Sequence, residues 1–231
     1  MVVPVPDPGH DLPALLIQWP PWTTMAEVLG EALVRRPYQA LALALDRRFA
    51  MNRLEQLAHH DGLTGLVNRE RFFETLGEHE IAGRSFAVFY IDLDQFKPIN
   101  DTLGHLIGDR VIAACANRLR HLSRPGDVVG RLGGDEFAIG CPGMDTDGAE
   151  AMAARIVEAL AAPIALATQV ALATQVALAA PTALSTQVVE IRASVGCTVS
   201  LPGQAVDAVV AVADAALYAA KRAGRNCWAR Q

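Results

Sequence analysis

An unbroken apolar run, Phe86-Ala87-Val88-Phe89-Tyr90-Ile91, stops at Asp92-Leu93-Asp94. A short run rich in aromatic and β-branched residues reads as a strand, and this one delivers carboxylates to its end. Further on, Val128 to Leu132 and Glu136 to Cys141 read as two short strands separated by Gly133-Gly134, a hairpin with glycines at its turn. Helical patterns surround these strands at Arg69 to Leu76, about Asp109 to Leu122, about Asp147 to Ala161, and Val206 to Ala223, the last followed by Gly224 as a terminator. Strand character returns over Val188 to Ser200. The order strand, helix, strand, strand, helix, strand predicts an α/β (α+β) fold, with helices packed on a central, partly antiparallel sheet.

A chain of 231 residues, 52% hydrophobic and 19% charged, is long enough for one well-buried domain with a modest appendage and too short for a second large one. Its net charge of -5 argues against a nucleic acid polymer as partner, because a phosphate backbone calls for a basic surface. Cys115, Cys141, Cys197 and Cys227 are widely spaced, form no CxxC pair and mostly sit in apolar runs. They read as reduced thiols of a cytoplasmic protein. The first residues are broken by prolines and acids and lack the basic start of a secretory signal, so no export is expected.

Residues 1–37 form a Pro-rich N-terminal segment with a Trp19 to Trp22 cluster and a short helical pattern at Met25 to Val34. Residues 38–60 are helical in pattern, with Leu41, Leu45, Phe49 and Leu57 near one side. Fewer than three clean heptads leave two readings open, a linker or stalk helix and an ordinary amphipathic helix. Residues 61–231 are expected to be one domain, interrupted at 165–188 by four hexads, ALATQV, ALATQV, ALAAPT and ALSTQV. As strands, the hexads keep Leu, Thr and Val on one face and Ala, Ala and Gln on the other, whereas as a helix each repeat rotates off its face. Helix propensity favours the second, phase the first, and the strand reading places a turn at Ala179-Ala180-Pro181-Thr182. No charge lies between Ala159 and Val189, yet Gln169, Gln175 and Pro181, and the position between a helix and a strand of one domain, argue against a membrane span.

Carboxylates at a strand end beside a glycine hairpin carrying two more acids, Asp135 and Glu136, suit a hard divalent cation held against a polyphosphate, whose oxygens complete its shell. Any one such acid alone is ordinarily a solvated turn residue. His59, His60 and His105 do not have the arrangement of a zinc site.

The sequence resembles the GGDEF family of diguanylate cyclases. The resemblance rests on Asp61-Gly62-Leu63-Thr64-Gly65-Leu66 with Asn68-Arg69, the run from Asp92 to Asp101, Gly104-His105, Gly108-Asp109, Arg131 to Phe137, Ser194-Val195-Gly196, Asp214 to Lys221, and Gly224-Arg225-Asn226, and covers about Asp61 to Trp228. It implies a palm-like GGDEF domain that condenses two GTP into cyclic di-GMP and two pyrophosphates across a homodimer interface. It further implies Mg²⁺ (or Mn²⁺), two per GTP half-site, on Asp92, the Leu93 carbonyl, Asp135 and Glu136, with Asp135 as candidate proton acceptor and Glu136 as a second catalytic acid. Asn100 and Asp109 then read guanine, backbone amides at Phe96 and Lys97 cradle phosphates, and Lys221 and Arg225 hold terminal phosphate oxygens. Arg124 and Asp127, with five residues between Asp127 and Gly133, and Arg155 on the next helix resemble the family's product-inhibition site for cyclic di-GMP. A different class of protein, a non-catalytic cyclic di-GMP or GTP-binding regulatory module, is the alternative expectation.

Overall fold

The computed structural model describes residues 36–169 and 184–231. By its internal contacts the chain divides into two units, Met1–Glu55 and Gln56–Gln231. The first contains most of helix α1, Arg36–His59, on which Leu41, Leu43 and Phe49 are exposed. The helical pattern at Met25 to Val34 lies outside the described residues.

In the second unit, α2 (Arg69–Ile81) precedes the central strand β1 (Phe86–Asp94), which is followed by α3 (Phe96–Leu103) and α4 (His105–Leu122). The hairpin β2 (Val128–Gly133) and β3 (Glu136–Pro142) leads to α5 (Thr146–Ala161), and then come β4 (Ile164–Gln169) and β5 (Leu184–Val189). The unit finishes with β6 (Arg192–Val199), α6 (Val206–Arg222) and β7 (Trp228–Arg230). Five strands form one sheet in the order β2-β3-β1-β6-β7, antiparallel except for the parallel pair β6 and β7. The expected mixed α/β fold with a mostly antiparallel central sheet is what the chain adopts.

β1 lies in the middle and is buried on both faces, which is why it reads as a continuous apolar run. Ala87, Phe89, Ile91 and Leu93 join one core with α4 and α5, while Phe86, Val88 and Tyr90 join a second with Phe72 and Leu76 of α2 and Ala213 and Leu217 of α6. Because side chains alternate along a strand, Asp92 and Asp94 continue the second face, toward α6. That helix is seated closely on β6: a Cβ added at Gly196 would collide with the carbonyl of Ala213 and the backbone nitrogen of Leu217. Its N-terminus is fixed by Glu80 of α2, whose Oε2 accepts a hydrogen bond from the Val206 N–H at 2.9 Å. A carboxylate there satisfies a free helix amide and opposes the positive end of the helix dipole.

Three expectations change in detail. α3 follows the acids directly and was not foreseen, because it is short and opens with Phe96-Lys97-Pro98 rather than with a capping residue. The single strand expected over Val188 to Ser200 is broken at Glu190-Ile191 into β5 and β6, which belong to different sheets. The hexad region is β-structured where it is described, since β4 and β5 pair antiparallel, while the turn expected at Ala179 to Thr182 lies outside the described residues. The register pairs Leu166 with Gln187 and Ala165 with Val188. Cross-strand partners share a face, so Leu166 is buried whereas Val188 of the last hexad is 60% exposed. The two ends of the repeat therefore present opposite faces, anchored by buried Ile164 and Val189. Among the described residues, no helix is long and apolar enough to cross a membrane.

Candidate functional site

The antiparallel register of β1 and β3 sets Asp92 opposite Glu136, and the Leu93 N–H donates to the Asp135 carbonyl at 3.2 Å. The acids of the hairpin turn are thus brought to the end of β1 by main-chain pairing. The turn itself needs glycine at Gly134, whose φ of 48 lies in the left-handed region. Arg131 clamps it: Nε and Nη2 donate to the Gly134 carbonyl at 3.0 and 2.7 Å, while Nη1 donates to both oxygens of Asp61 at 3.1 Å. Asp61 also accepts from the backbone N–H and hydroxyl of Thr64, at 2.9 and 2.7 Å. Burial works to raise the Asp61 carboxyl, but the bonds from Thr64 and the Arg131 guanidinium outweigh it and hold the group below its ordinary value.

The end of α6 supplies the cations. Lys221 Nζ lies 2.8 Å from Asp92 Oδ2. Burial pushes the Asp92 carboxyl above its ordinary value, and the charges of Asp135 and Asp94 add to this against the opposing effect of Lys221. Asp94 is buried and accepts from the Ser194 hydroxyl at 2.8 Å and from the Asn226 N–H at 2.9 Å, with Arg225 Nε at 4.0 Å. Gly224 was expected to terminate the last helix. The helix ends at Arg222, and Arg225 sits in the turn beyond Gly224 with a left-handed φ of 65. A cleft of about 440 Å³ beside this turn is lined by Asp94, Gln95, Pro98, Arg192, Arg225 and Asn226 among others.

Among the described residues, no three His, Cys, Asp or Glu side chains gather into a metal cage. The donor chemistry nonetheless fits a hard divalent cation that takes part of its shell from a bound polyphosphate: the Asp92, Asp135 and Glu136 carboxylates lie around one strand end, and Asp92 is held above its ordinary value by burial and like charge.

At the other side of this end, Gln95, with φ 56, turns the chain into α3, and no side chain caps that helix's N-terminus. Phe96 is buried and Lys97 exposed, which leaves the first-turn amides as the polar feature of this corner. Gly104, φ 83, breaks α3 from α4 and folds one on the other. Gly108, just before Asp109, leaves space beside α3. It is the Asn100 carboxamide that uses the space, since a Cβ at Gly108 would collide with Asn100 Oδ1. The packing brings Asn100 beside the residue preceding exposed Asp109.

Arg124 and Asp127 form a closed turn. Asp127 Oδ2 accepts the Arg124 N–H at 2.9 Å, Arg124 Nε donates to Oδ1 at 3.2 Å, and Nη2 donates to the Pro142 carbonyl at 2.8 Å. Asp127 is almost fully buried, and Arg124 is 56% exposed. Burial, with the Asp127 charge beside it, pushes the Cys141 thiol upward. Arg155 is exposed on α5. Sequence reasoning assigned no role to Asp61, Arg131, Asp94, Ser194 or Asn226. All stand in the quoted motifs, but only the folded arrangement shows that they hold the acids and the cationic turn in place.

A fold with a β1–β3 acid corner, a cationic helix end and Asn100 packed against Gly108 beside Asp109 defines a class, and comparison with known proteins specifies it. The family described as "Diguanylate cyclase, GGDEF domain" matches residues 58–177. The bifunctional diguanylate cyclase/cyclic di-GMP phosphodiesterase MucR of Pseudomonas aeruginosa is 35% identical over 207 residues, covering 87% of this chain and 27% of that protein. Diguanylate cyclase DgcM of Escherichia coli K12 is 32% identical over 177 residues, covering 75% of this chain and 38% of that protein. The crystal structure of the coiled coil and GGDEF domain of DgcB from Caulobacter crescentus, in complex with c-di-GMP, superposes with a TM-score of 0.71 at 27% identity, covering 87% of this chain and all of that one. The chain belongs to the GGDEF domain family. It spans only 12 to 43% of the length of curated relatives that it matches.

Proposed function

We propose that this chain is an active diguanylate cyclase domain that joins two GTP molecules into cyclic di-GMP, each held by one half-site of a homodimer. The observation that carries the reading is the strand register that sets Asp92 against Glu136, with Lys221 drawn onto Asp92 from α6. Clustered acids with a cation drawn onto one of them are what a metal-assisted phosphoryl transfer needs.

Asp92, Asp135, Glu136 and the Leu93 carbonyl would hold Mg²⁺ or Mn²⁺, two per half-site. When bound, these ions neutralise the triphosphate and acidify the attacking ribose 3′-hydroxyl. The residues of the chain do the rest. Asp135, on a turn clamped by Arg131, accepts the proton of that hydroxyl. Amides at Phe96 and Lys97 and the charges of Lys221 and Arg225 bind the phosphates, and pyrophosphate departs from that cationic corner. Asp109 accepts from guanine N1–H and the exocyclic amine, and Asn100 reads the remaining edge, a donor pair that adenine lacks. Arg124 and Asp127, with Arg155, would take up cyclic di-GMP and limit the rate.

The test is product analysis after incubation of the purified chain with GTP, ATP or both. Cyclic di-GMP should form from GTP alone, only with divalent metal. Asp92→Asn should lower turnover roughly hundredfold or more, the scale of removing one group from a preorganised electrostatic site. Turnover in excess chelator, or a fully active Asp92→Asn variant, would refute the assignment. Added cyclic di-GMP should slow the parent. Arg124→Ala should keep the initial rate but bind product more weakly by about 2 to 4 kcal/mol, the cost of unpairing a charged hydrogen bond. Equal inhibition curves would reduce Arg124 to a surface residue.

A further inference from the structure

Asp94 is a buried carboxylate for which the proposed reaction has no task. It lies on the same face of β1 as Asp92, two residues further on, and both of its oxygens are engaged by neutral donors: the Ser194 hydroxyl at 2.8 Å and the Asn226 N–H at 2.9 Å. The second partner belongs to an unusual segment. Gly224, Arg225 and Asn226 have φ values of 121, 65 and 48. Two consecutive residues with side chains are therefore held in the left-handed region, which sterics between Cβ and the backbone disfavour. Such a conformation persists only where its surroundings over-determine it.

Main-chain hydrogen bonds fix this turn. The Arg225 N–H donates to the Ala220 carbonyl of α6 at 3.2 Å, the Val195 N–H of β6 donates to the Cys227 carbonyl at 3.0 Å, and the Asn226 N–H donates to Asp94. The first two tie the ends of the turn to its neighbours in the fold. The third is the hydrogen bond that ties its middle to β1, the strand that carries Asp92. Arg225 is 54% exposed at the side-chain level, and its Nε lies 4.0 Å from Asp94, a loose pairing that leaves the guanidinium free to engage another anion.

We propose that Asp94 is a positioning residue: it clasps the Asn226 amide, holds the left-handed turn closed and thereby aims Arg225 at the phosphates of the substrate. The two acids of the strand end divide the work, Asp92 serving the reacting centre and Asp94 the turn that carries the phosphate cation. The phosphate half of this proposal rests on the function proposed above. The anchoring half does not.

Two readouts on the full chain separate them. Amide hydrogen exchange reports the clasp directly: Asp94→Ala should accelerate exchange at Asn226 at least tenfold, whereas Asp94→Asn should stay near the parent, since an amide oxygen still accepts from the Asn226 N–H and the amide nitrogen can donate to Ser194 Oγ. Steady-state kinetics with GTP should follow the same order, KM rising about tenfold or more in Asp94→Ala with kcat within a few fold, and Asp94→Asn close to the parent. Asp94→Ala combined with Arg225→Ala should raise KM little beyond Arg225→Ala alone, because one acts through the other. Asp94→Ser, whose hydroxyl is too short to reach both donors, carries the comparison if the alanine variant does not fold. An Asp94→Asn variant as damaged as Asp94→Ala would overturn the proposal by showing that the charge matters, as for a metal ligand. Unchanged exchange at Asn226 in Asp94→Ala or Asp94→Ser would overturn the anchor. Normal KM with an opened turn would overturn the link to phosphate. A parent that binds no GTP would refute the proposed function and the phosphate half together, with exchange still deciding the clasp.

Discussion

Gly108→Ala should weaken GTP binding while leaving the fold intact. The position is inside α4 and is not among the residues with positive φ, so alanine is acceptable to the backbone and gains about 0.5–1 kcal/mol of helix stability over glycine. The new Cβ would collide with Asn100 Oδ1, stand 2.9 Å from Asn100 Cγ and crowd Phe96 Cζ at 3.1 Å. Phe96 is buried and cannot move far, whereas Asn100 can rotate. Its rotation would spend the contact proposed to read guanine, and a base atom left without its partner costs about 1–3 kcal/mol, or roughly 5- to 150-fold in KM. Net stability should stay within about 1 kcal/mol of the parent, because helix propensity and the displaced side chain act in opposite directions. The assay is initial-rate kinetics with GTP on four proteins: parent, Gly108→Ala, Asn100→Ala and the double variant. With Asn100 truncated, the Cβ at 108 meets no carboxamide, so the double variant should match Asn100→Ala. Fully additive KM effects, or an unchanged KM in a folded Gly108→Ala, would refute the reasoning.

Gly196→Ala should behave differently, because its collision is with the backbone of α6 at Ala213 and Leu217, which cannot rotate away; a loss of about 3 kcal/mol or more is expected, and an unchanged urea midpoint would count against the close seating of α6. The acid limb of stability should depend on Asp61, whose folded-state value is lowered: its contribution is present above the unfolded carboxylate value and is lost as pH falls through the folded one, so Asp61→Asn should flatten urea stability against pH in that window. Asp92 is raised and works in the other sense, binding its proton more readily when folded, so Asp92→Asn should lose stability more steeply than the parent on acidification. Parallel curves for all three proteins would sink both assignments.

What the sequence made legible was governed by local pattern. β1 announced itself because burial on both faces leaves no polar residue to interrupt the run, and the β2–β3 hairpin because Gly134 must take a left-handed φ. α3 stayed hidden because its eight residues give little periodicity and Gln95 enters it without a side-chain cap. β7 escaped for a similar reason: three residues, Trp228 to Arg230, earn their strand conformation only from β6 beside them. The hexads showed strand phase within each repeat, but the register that turns the first and last repeats to opposite faces is set by the pairing of Ile164 with Val189, which flank the repeat. The same limit applied at the site. Asp92, Asp135, Glu136 and Lys221 could be named from resemblance, whereas the clamp from Arg131 to Asp61 joins residues 70 apart in the chain, and the Asp94–Asn226 clasp joins residues 132 apart.

The spacing of the two strand acids follows from these long-range contacts. Residues two apart on a strand share a face and stand about 6.6 Å apart, so Asp92 and Asp94 both look toward α6, while Leu93 between them enters the opposite core. Lys221 reaches the first acid from the last turn of the helix. If α6 ran on, Arg225 would lie one turn further along its axis with its amide committed to the helix ladder. Gly224 stops the helix instead, and the left-handed pair after it brings the Asn226 amide to Asp94. A spacing of one residue would put the second acid at the place of Leu93, in the core with Phe89 and Ile91, where neither Ser194 nor Asn226 could satisfy it. The aspartate-leucine-aspartate order is thus tied to the strand's period and to the break after α6 together, and shortening it by a single residue should cost the clasp and bury an unpaired carboxylate at the same time.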